Sequence, residues 1–398
     1  MNVKKIPYPQ VASWVEIDRN ALAHNIETFK KIISHQSKMG AVLKSNAYGH
    51  GMIEVFKEIH GKVDVIYLIH YQDAFLLRKF EQENDLRATR IMVIGALNPQ
   101  EVIECVKQNI EIVIYSETFQ TCLDALRKEN LPTKAMSHIH IDTGLGREGF
   151  YFKGIQESIA FLKNSTDVLH IQGVMSHFSN TEDVTEQSYA LSQIEAFELS
   201  LEIILKELEL PNTLEKHFAA SAATLAIPKS RFDIVRIGIS LYGLWPSSET
   251  RLSAKLILPE LPKLKPAMSW RCKSQQIKWL PQDRFVGYGC TYQTLKSTFI
   301  ALLPVGYFDG YSRLVSNRAY VLINGHRCAV LGRVMMNHII VDITDAEVLQ
   351  GETEVTATLL GTDGKETISA DQLGGWSQTI NYEVVTRVGP HLQRIITH

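Results

Sequence analysis

The feature that most constrains this chain is an alternation. Eight short apolar runs, at residues 39–43, 63–69, 90–94, 110–115, 136–141, 169–175, 216–219 and 234–237, are separated by stretches of helical periodicity. Those helical stretches include 71–83, 100–108, 117–129, 154–163 and 185–208, and a strand pattern at 13–18 with a helical pattern at 19–33 precedes them all. Runs apolar on both faces and spaced by helices pair in parallel. Eight such units in roughly 200–250 residues match a (β/α)8 barrel, with an open doubly wound sheet as the fallback.

Beyond Trp245-Pro246 the pattern changes. Pro246, Pro259, Pro262 and Pro266 mark a linker, after which helical periodicity fades. Residues 269–280, 298–304, 320–323, 327–330, 339–343 and 355–360 read as strands, and Asn324-Gly325 is a two-residue hairpin turn between two of them. The expected organisation is a barrel over 1–250 and a mostly β domain over 251–398. With 41 basic against 43 acidic residues the net charge is −2, which gives no reason to expect nucleic acid or an anionic membrane as partner. Residues 1–9 lack the apolar core of a signal peptide, and no run approaches ~18 apolar residues. The five scattered cysteines form no CxxC pair and fit a reducing cytoplasm.

In a barrel of this kind chemistry collects just after the strands. The first run ends in Lys44 and breaks into Ser45-Asn46-Ala47-Tyr48-Gly49-His50-Gly51. A lysine shielded there loses its proton more readily than a surface one, and can act as a base or form a Schiff base. The bland alternative is a lysine whose stem covers the rim. The fifth run is followed by Asp142-Thr143-Gly144-Leu145-Gly146-Arg147-Glu148-Gly149 and the sixth by Ser176-His177-Phe178. The seventh leads to Ser221, and the eighth carries Arg236 into Gly238 and Ile239. Ser221 with the amides of Gly238 and Ile239 suits a phosphate. A lysine, a phosphate cradle and a strand-borne arginine on one rim point to pyridoxal 5′-phosphate.

Two other patterns compete. Gly144-x-Gly146-x-x-Gly149 matches a dinucleotide fingerprint in form, but no first βαβ unit surrounds it. His138-x-His140 puts two imidazoles on one strand face, as a metal site would. No further ligand set stands at the other strand ends, so interior hydrogen-bonded histidines are the simpler reading and no metal is expected.

With these motifs in place the chain resembles the pyridoxal-phosphate-dependent alanine racemases. The resemblance runs from Trp14-Val15-Glu16-Ile17-Asp18 to Ile380-Asn381-Tyr382-Glu383-Val384. It is carried by Val42-Leu43-Lys44-Ser45-Asn46-Ala47-Tyr48-Gly49-His50-Gly51, the Asp142–Arg147 loop, Ser176-His177-Phe178 and the Val235–Gly243 segment. In the second domain it rests on Gly287-Tyr288-Gly289, Thr291-Tyr292, Val305-Gly306-Tyr307, Asp309-Gly310 and Gly332-Arg333-Val334-Met335-Met336. The resemblance implies a cytoplasmic homodimeric isomerase that interconverts L- and D-alanine through a cofactor aldimine on Lys44, supplying D-alanine for peptidoglycan. It makes Lys44 one base and Tyr288, from a partner subunit, the opposed one. His177 and nearby arginines are the candidates for tuning that phenol. Tyr48, Ser221, Gly238, Ile239 and Tyr382 match the phosphate contacts, and Arg236 the partner of the pyridine nitrogen. Arg147 and the Met336 amide match the substrate-carboxylate site, while Tyr307, Arg313 and Arg333 line the entrance. Two positions depart. His140 stands where many members carry a carbamylated lysine, and Asn337 where aspartate is usual. Asparagine there is similar to broader-specificity racemases acting on serine, lysine or arginine.

Overall fold

The computed structural model describes residues 12–34, 37–183 and 186–398, so the readings of residues 1–9 and of Thr185 lie outside the described residues. The chain divides into two compact units. One comprises Ala23–Lys44 and Ile59–Lys265; the other comprises Met1–Leu22, Ser45–Glu58 and Pro266–His398. β1 (Ser13–Asp18) belongs to the latter.

The first unit holds β2 (Lys38–Val42), β3 (Val65–Leu68), β4 (Ile91–Val93), β5 (Glu111–Ile114), β6 (Ala135–Asp142), the short β7 (Phe150–Tyr151), β8 (Leu169–Met175), β9 (Glu215–His217) and β10 (Ile234–Ile237). Its sheet runs β10-β2-β3-β4-β5-β6-β8-β9, with β7 beside β6. Every pairing is parallel. The gap between β9 and β10 is bridged just past β9, where Ala220 pairs with Arg236 and the Arg236 amide donates to the Ala219 carbonyl at 2.9 Å. The (β/α)8 reading therefore holds over the open sheet. β3, β4, β5 and β10 are buried at every position, as strands with a filled interior and covering helices must be.

The helices Tyr71–Glu83, Pro99–Lys107, Gln120–Glu129, Ile155–Ser165 and Ser188–Glu207 fall where the periodicity put them. At Pro99–Lys107 the local reason is plain. Proline occupies the first turn, the Asn98 side chain accepts from the Glu101 amide at 2.9 Å, and the Glu101 carboxylate accepts from the Asn98 amide at 3.0 Å. The proline-rich linker needs correcting. Its first half is the helix Ser248–Ile257, started by the Ser247 hydroxyl accepting from the Thr250 amide at 3.0 Å, with no proline inside it.

The second unit holds β11 (Met268–Lys273), β12 (Gln276–Leu280), β13 (Thr298–Leu303), β14 (Tyr320–Ile323), β15 (His326–Leu331), β16 (Ile339–Asp342), β17 (Thr356–Asp363), β18 (Glu366–Ile368) and β19 (Gln393–Thr397). The order is β12-β13-β16-β15-β14-β17-β11-β1-β19, with β18 beside β17. The single run expected over 269–280 is two strands. Asn324 and Gly325 turn the β14–β15 hairpin with φ of 52° and 78°, the left-handed pair that a type I′ turn requires. The unit is mostly β, with the helices Ala370–Ser377 and Asn381–Thr386 added near its end.

Candidate active site

Lys44 stands beyond a strand end that is firmly held. The Leu43 amide donates to the Tyr67 carbonyl at 3.0 Å, and the buried Tyr242 hydroxyl donates to the Val42 carbonyl at 2.8 Å. Lys44 itself is half-buried. Burial pulls its ammonium below the ordinary lysine range, and the positive charges of Arg147 and Arg236 add to the shift against an opposing Glu148. A lysine that merely covered the rim would keep its charge in water, so that reading is the weaker one.

The turn expected after Lys44 is present, but its left-handed form was not legible in the sequence. Ser45, Asn46, Ala47 and Tyr48 all take φ near +55°, a left-handed turn made without glycine. Each such residue costs about 1–2 kcal/mol, so the turn must be held from outside. The Gly49 amide donates back to the Ser45 carbonyl at 3.0 Å, and the Asn46 side chain accepts from the Met52 amide at 2.8 Å. Arg394 donates to the Gly49 carbonyl from Nε and Nη2 at 3.2 and 2.8 Å. His50 lies fully buried with Nδ1 3.1 and 3.0 Å from the Ala47 and Tyr48 carbonyls, and burial lowers its pKa to about 4. Tyr48 is buried with its phenol raised to about 12 by desolvation, and its ring lies 6.2 Å from that of Tyr382.

In the barrel unit Arg236 is the hub. Its Nη1 lies 3.0 Å from His217 Nδ1 and donates to the His217 carbonyl at 2.8 Å. Its Nη2 donates to the carbonyls of Ser176 and Phe218 at 2.6 and 2.9 Å and lies 3.2 Å from His177 Nδ1. Burial brings this guanidinium down to about 10, which still leaves it charged at neutral pH. Among the described residues, these bonds all leave from the two terminal nitrogens. His177 and His140 are both held neutral, by burial first and then by Arg236 and Arg147; His140 falls to about 3. With Arg236 donating to Nδ1, a neutral His177 carries its proton on Nε2. Ser221 opens the helix Ser221–Ala226, and its hydroxyl accepts from the Gly238 amide at 3.0 Å, next to Ile239.

Arg147 sits half-exposed on the loop after β6, paired with Glu148. That loop answers the dinucleotide pattern. The Asp142 carboxylate accepts from the Gly144 and Gly146 amides at 2.9 and 3.1 Å, so amides that a pyrophosphate would need are taken. The His138-x-His140 metal reading also loses a ligand, because His138 uses both nitrogens on Glu111 and His217.

The remaining candidates lie in the second unit. Tyr288 sits between Gly287 (φ 72°) and Gly289 (φ 76°) and is 69% exposed. The Arg333 guanidinium closes on Gly289, where an added Cβ would meet Nε at 3.2 Å. The Tyr307 and Phe308 amides donate to the Met335 and Met336 carbonyls at 3.0 Å each, and Arg313 stands 6.0 Å from the Tyr307 ring. Met336, followed by Asn337, is 55% exposed.

The comparisons with known proteins agree along the chain. The family model for the alanine racemase N-terminal domain matches residues 17–246, and that for the C-terminal domain matches 267–396. The chain belongs to the alanine racemase family. It is 35% identical to an alanine racemase of Leptospira interrogans over 97% of this chain and 96% of that one. It is 38% identical to one of Methylacidiphilum infernorum, over 97% and 93%. Among solved structures, an alanine racemase from Bacillus anthracis with bound L-Ala-P superposes with a TM-score of 0.86 at 31% identity, covering 98% of this chain and 96% of that one.

Sequence reasoning missed several residues of this region. His217 and Glu111 gave no signal, because a histidine or glutamate within an apolar strand looks like an isolated exception. Gln193 is fully buried on the helix Ser188–Glu207, where its amide lies 3.3 Å from the Thr143 hydroxyl and its oxygen accepts from the Ser179 amide. Glu148 could have been found as the one carboxylate beside Arg147 in sequence.

Proposed function

We propose that this chain is an alanine racemase that uses pyridoxal 5′-phosphate to interconvert L- and D-alanine in the cytoplasm, supplying D-alanine for peptidoglycan. The observation that carries the reading is Lys44, an amine at a barrel-strand end whose proton is destabilised by burial and by two arginines. The donor set fits the cofactor. Lys44 offers an amine whose proton is destabilised for the aldehyde, Arg236 its Nε–H for the ring nitrogen, and the Ser221 hydroxyl, steadied by the Gly238 amide, with the Ile239 amide a cradle for the phosphate. Tyr48 and Tyr382 take the phosphate role that the resemblance gives them. Bound in this way, the cofactor withdraws electron density from the substrate and makes its α-proton removable.

The protein's own part is two-sided proton transfer. Lys44 Nζ works on one face of the α-carbon and the Tyr288 hydroxyl of a second copy on the other. One base takes the α-proton while the opposite one delivers its own, so each turnover exchanges their protonation states. The Nε2–H of His177 and the arginines are the groups that tune the phenol. Arg147 and the Met336 amide hold the substrate carboxylate, releasing Glu148 from Arg147, while Tyr307, Arg313 and Arg333 shape the entrance. A donor that keeps its proton at Arg236 leaves the ring nitrogen unprotonated, which limits side reactions.

A second reading, a racemase of broader substrate range, is favoured by His140 and Asn337. His140 is buried and neutral, so no anion is built into the chain at that position. One experiment tests both readings: racemisation by the purified holoenzyme of alanine, serine, lysine and arginine, each from both enantiomers. Alanine preferred by orders of magnitude supports the first reading, comparable rates on another amino acid support the second, and no racemisation of any would overturn both.

A further inference from the structure

Behind Arg236 the barrel interior holds a chain of side chains that the proposed chemistry does not use. Glu111 Oε2 lies 3.2 Å from His138 Nε2, His138 Nδ1 lies 2.9 Å from His217 Nε2, and His217 Nδ1 lies 3.0 Å from Arg236 Nη1. Both imidazoles are fully buried, edge to face with centroids 4.9 Å apart. Space is made for them. A Cβ on Gly173 would fall 2.4 Å from His138 Nδ1, so only glycine leaves room for that ring. At the far end Arg90 pairs with Glu111 through Nε and Nη2, and is itself held by Glu215, which also accepts from Lys38 at 2.6 Å.

We propose that Glu111 is a positioning residue: it fixes the proton order of the His138–His217 relay and so holds Arg236 in register with the cofactor ring nitrogen. The inference rests on the assignment of Arg236 given above. A carboxylate only accepts and a guanidinium only donates. Glu111 keeps its charge because its bonds to His138 and Arg90 outweigh the desolvation that opposes them. Between these fixed ends there are three links, and three protons satisfy them. Arg236 donates to His217 Nδ1, His217 Nε2–H donates to His138 Nδ1, and His138 Nε2–H donates to Glu111. A fourth proton would set two donors against each other, so both rings stay neutral. The reversed order has one donor available to start it, since Arg90 Nη2 lies 3.4 Å from His138 Nε2. It fails at both ends, leaving a lone pair facing the Glu111 oxygen and an N–H of His217 facing Arg236. Neutral imidazoles in this order transmit the pull of Glu111 to Arg236 without placing a second charge beside it.

The test is the 15N spectrum of the histidine-labelled holoenzyme between pH 6 and 9, with the two rings assigned through His138→Gln. The expected result is Nδ1 as the lone-pair nitrogen and Nε2 as the protonated one in both His138 and His217, without change over that range. A proton on His217 Nδ1, or either ring doubly protonated at pH 7, overturns the proposal from the wild type alone. Glu111→Gln should mix or invert the His217 tautomer and lower kcat by on the order of tenfold with KM for alanine unmoved. Glu111→Asp should recover both. A folded Glu111→Gln protein with the wild-type tautomer or the wild-type kcat also overturns it. The spectra are read without turnover, so they succeed or fail independently of the assigned racemase activity.

Discussion

The surroundings of Lys44 and of Tyr288 are built on opposite plans. Around Arg236 every terminal nitrogen is bonded, the histidines are buried and neutral, and the residues filling the barrel leave space only where glycine allows it. Around Tyr288 the backbone is equally fixed, with the Val286 amide donating to the Tyr292 carbonyl at 3.0 Å and Gly332 closed on the Val286 carbonyl. Its side chains, however, point outward. Tyr288, Tyr307, Phe308 and Met336 are 69%, 42%, 62% and 55% exposed. A loop held rigid while it exposes aromatic rings is a surface prepared for another molecule. On the proposed reading, the barrel side completes its own half of the chemistry and the β side offers its half to a second copy.

The largest effect should come from the buried half. Lys44→Ala is expected to lower racemisation by on the order of 10⁴-fold or more and to remove the visible absorbance of bound cofactor, checked by polarimetry and spectrophotometry. Tyr288→Phe should cost about 10²–10⁴-fold in both directions of the reaction. Because the ring is exposed, its stability should stay within about 0.5 kcal/mol of wild type in a denaturant titration. A large loss of stability there would break the contrast between the halves.

Acid should separate the halves as well. His140 and His50 have pKa values of about 3 and about 4, and His177 and His217 also lie well below the ordinary histidine value. Between pH 6.5 and about 4 the unfolded chain binds more protons than the folded one. Their contribution is therefore complete above pH 6.5 and is lost as pH falls toward 4, which melting temperatures across that range would follow. Three of these four histidines lie in the barrel unit, so its amides should lose hydrogen-exchange protection first. The smallest effect is steric. Gly40→Ala would put a Cβ 2.3 Å from Tyr67 Cε2 in the packed interior, at a cost of about 1–3 kcal/mol.

Much of the fold was legible in the sequence, for physical reasons that differ by region. Buried parallel strands declare themselves as apolar runs, so all eight barrel strands were found within a few residues. Asn324-Gly325 announced its hairpin because few other pairs accept two left-handed residues. The left-handed form of the turn after Lys44 was hidden because, of Ser45, Asn46, Ala47 and Tyr48, only the asparagine readily accepts positive φ. Part of what holds it comes from Arg394, hundreds of positions away in the chain, through the Gly49 carbonyl. The relay was hidden for a similar reason. Glu111, His138 and His217 lie on three strands and meet only when the barrel brings them together, and β19 likewise exists only through its parallel pairing with β1.

We propose that a working site needs Lys44 of one chain and Tyr288 of another. It is tested most directly by mixing Lys44→Ala and Tyr288→Phe proteins, each nearly inactive, under conditions where subunit exchange is verified. In a symmetric dimer each mixed pair regains one intact site, so activity should rise to roughly a quarter of wild type at equal amounts. Activity that stays at the level of the separate variants after exchange would contradict it.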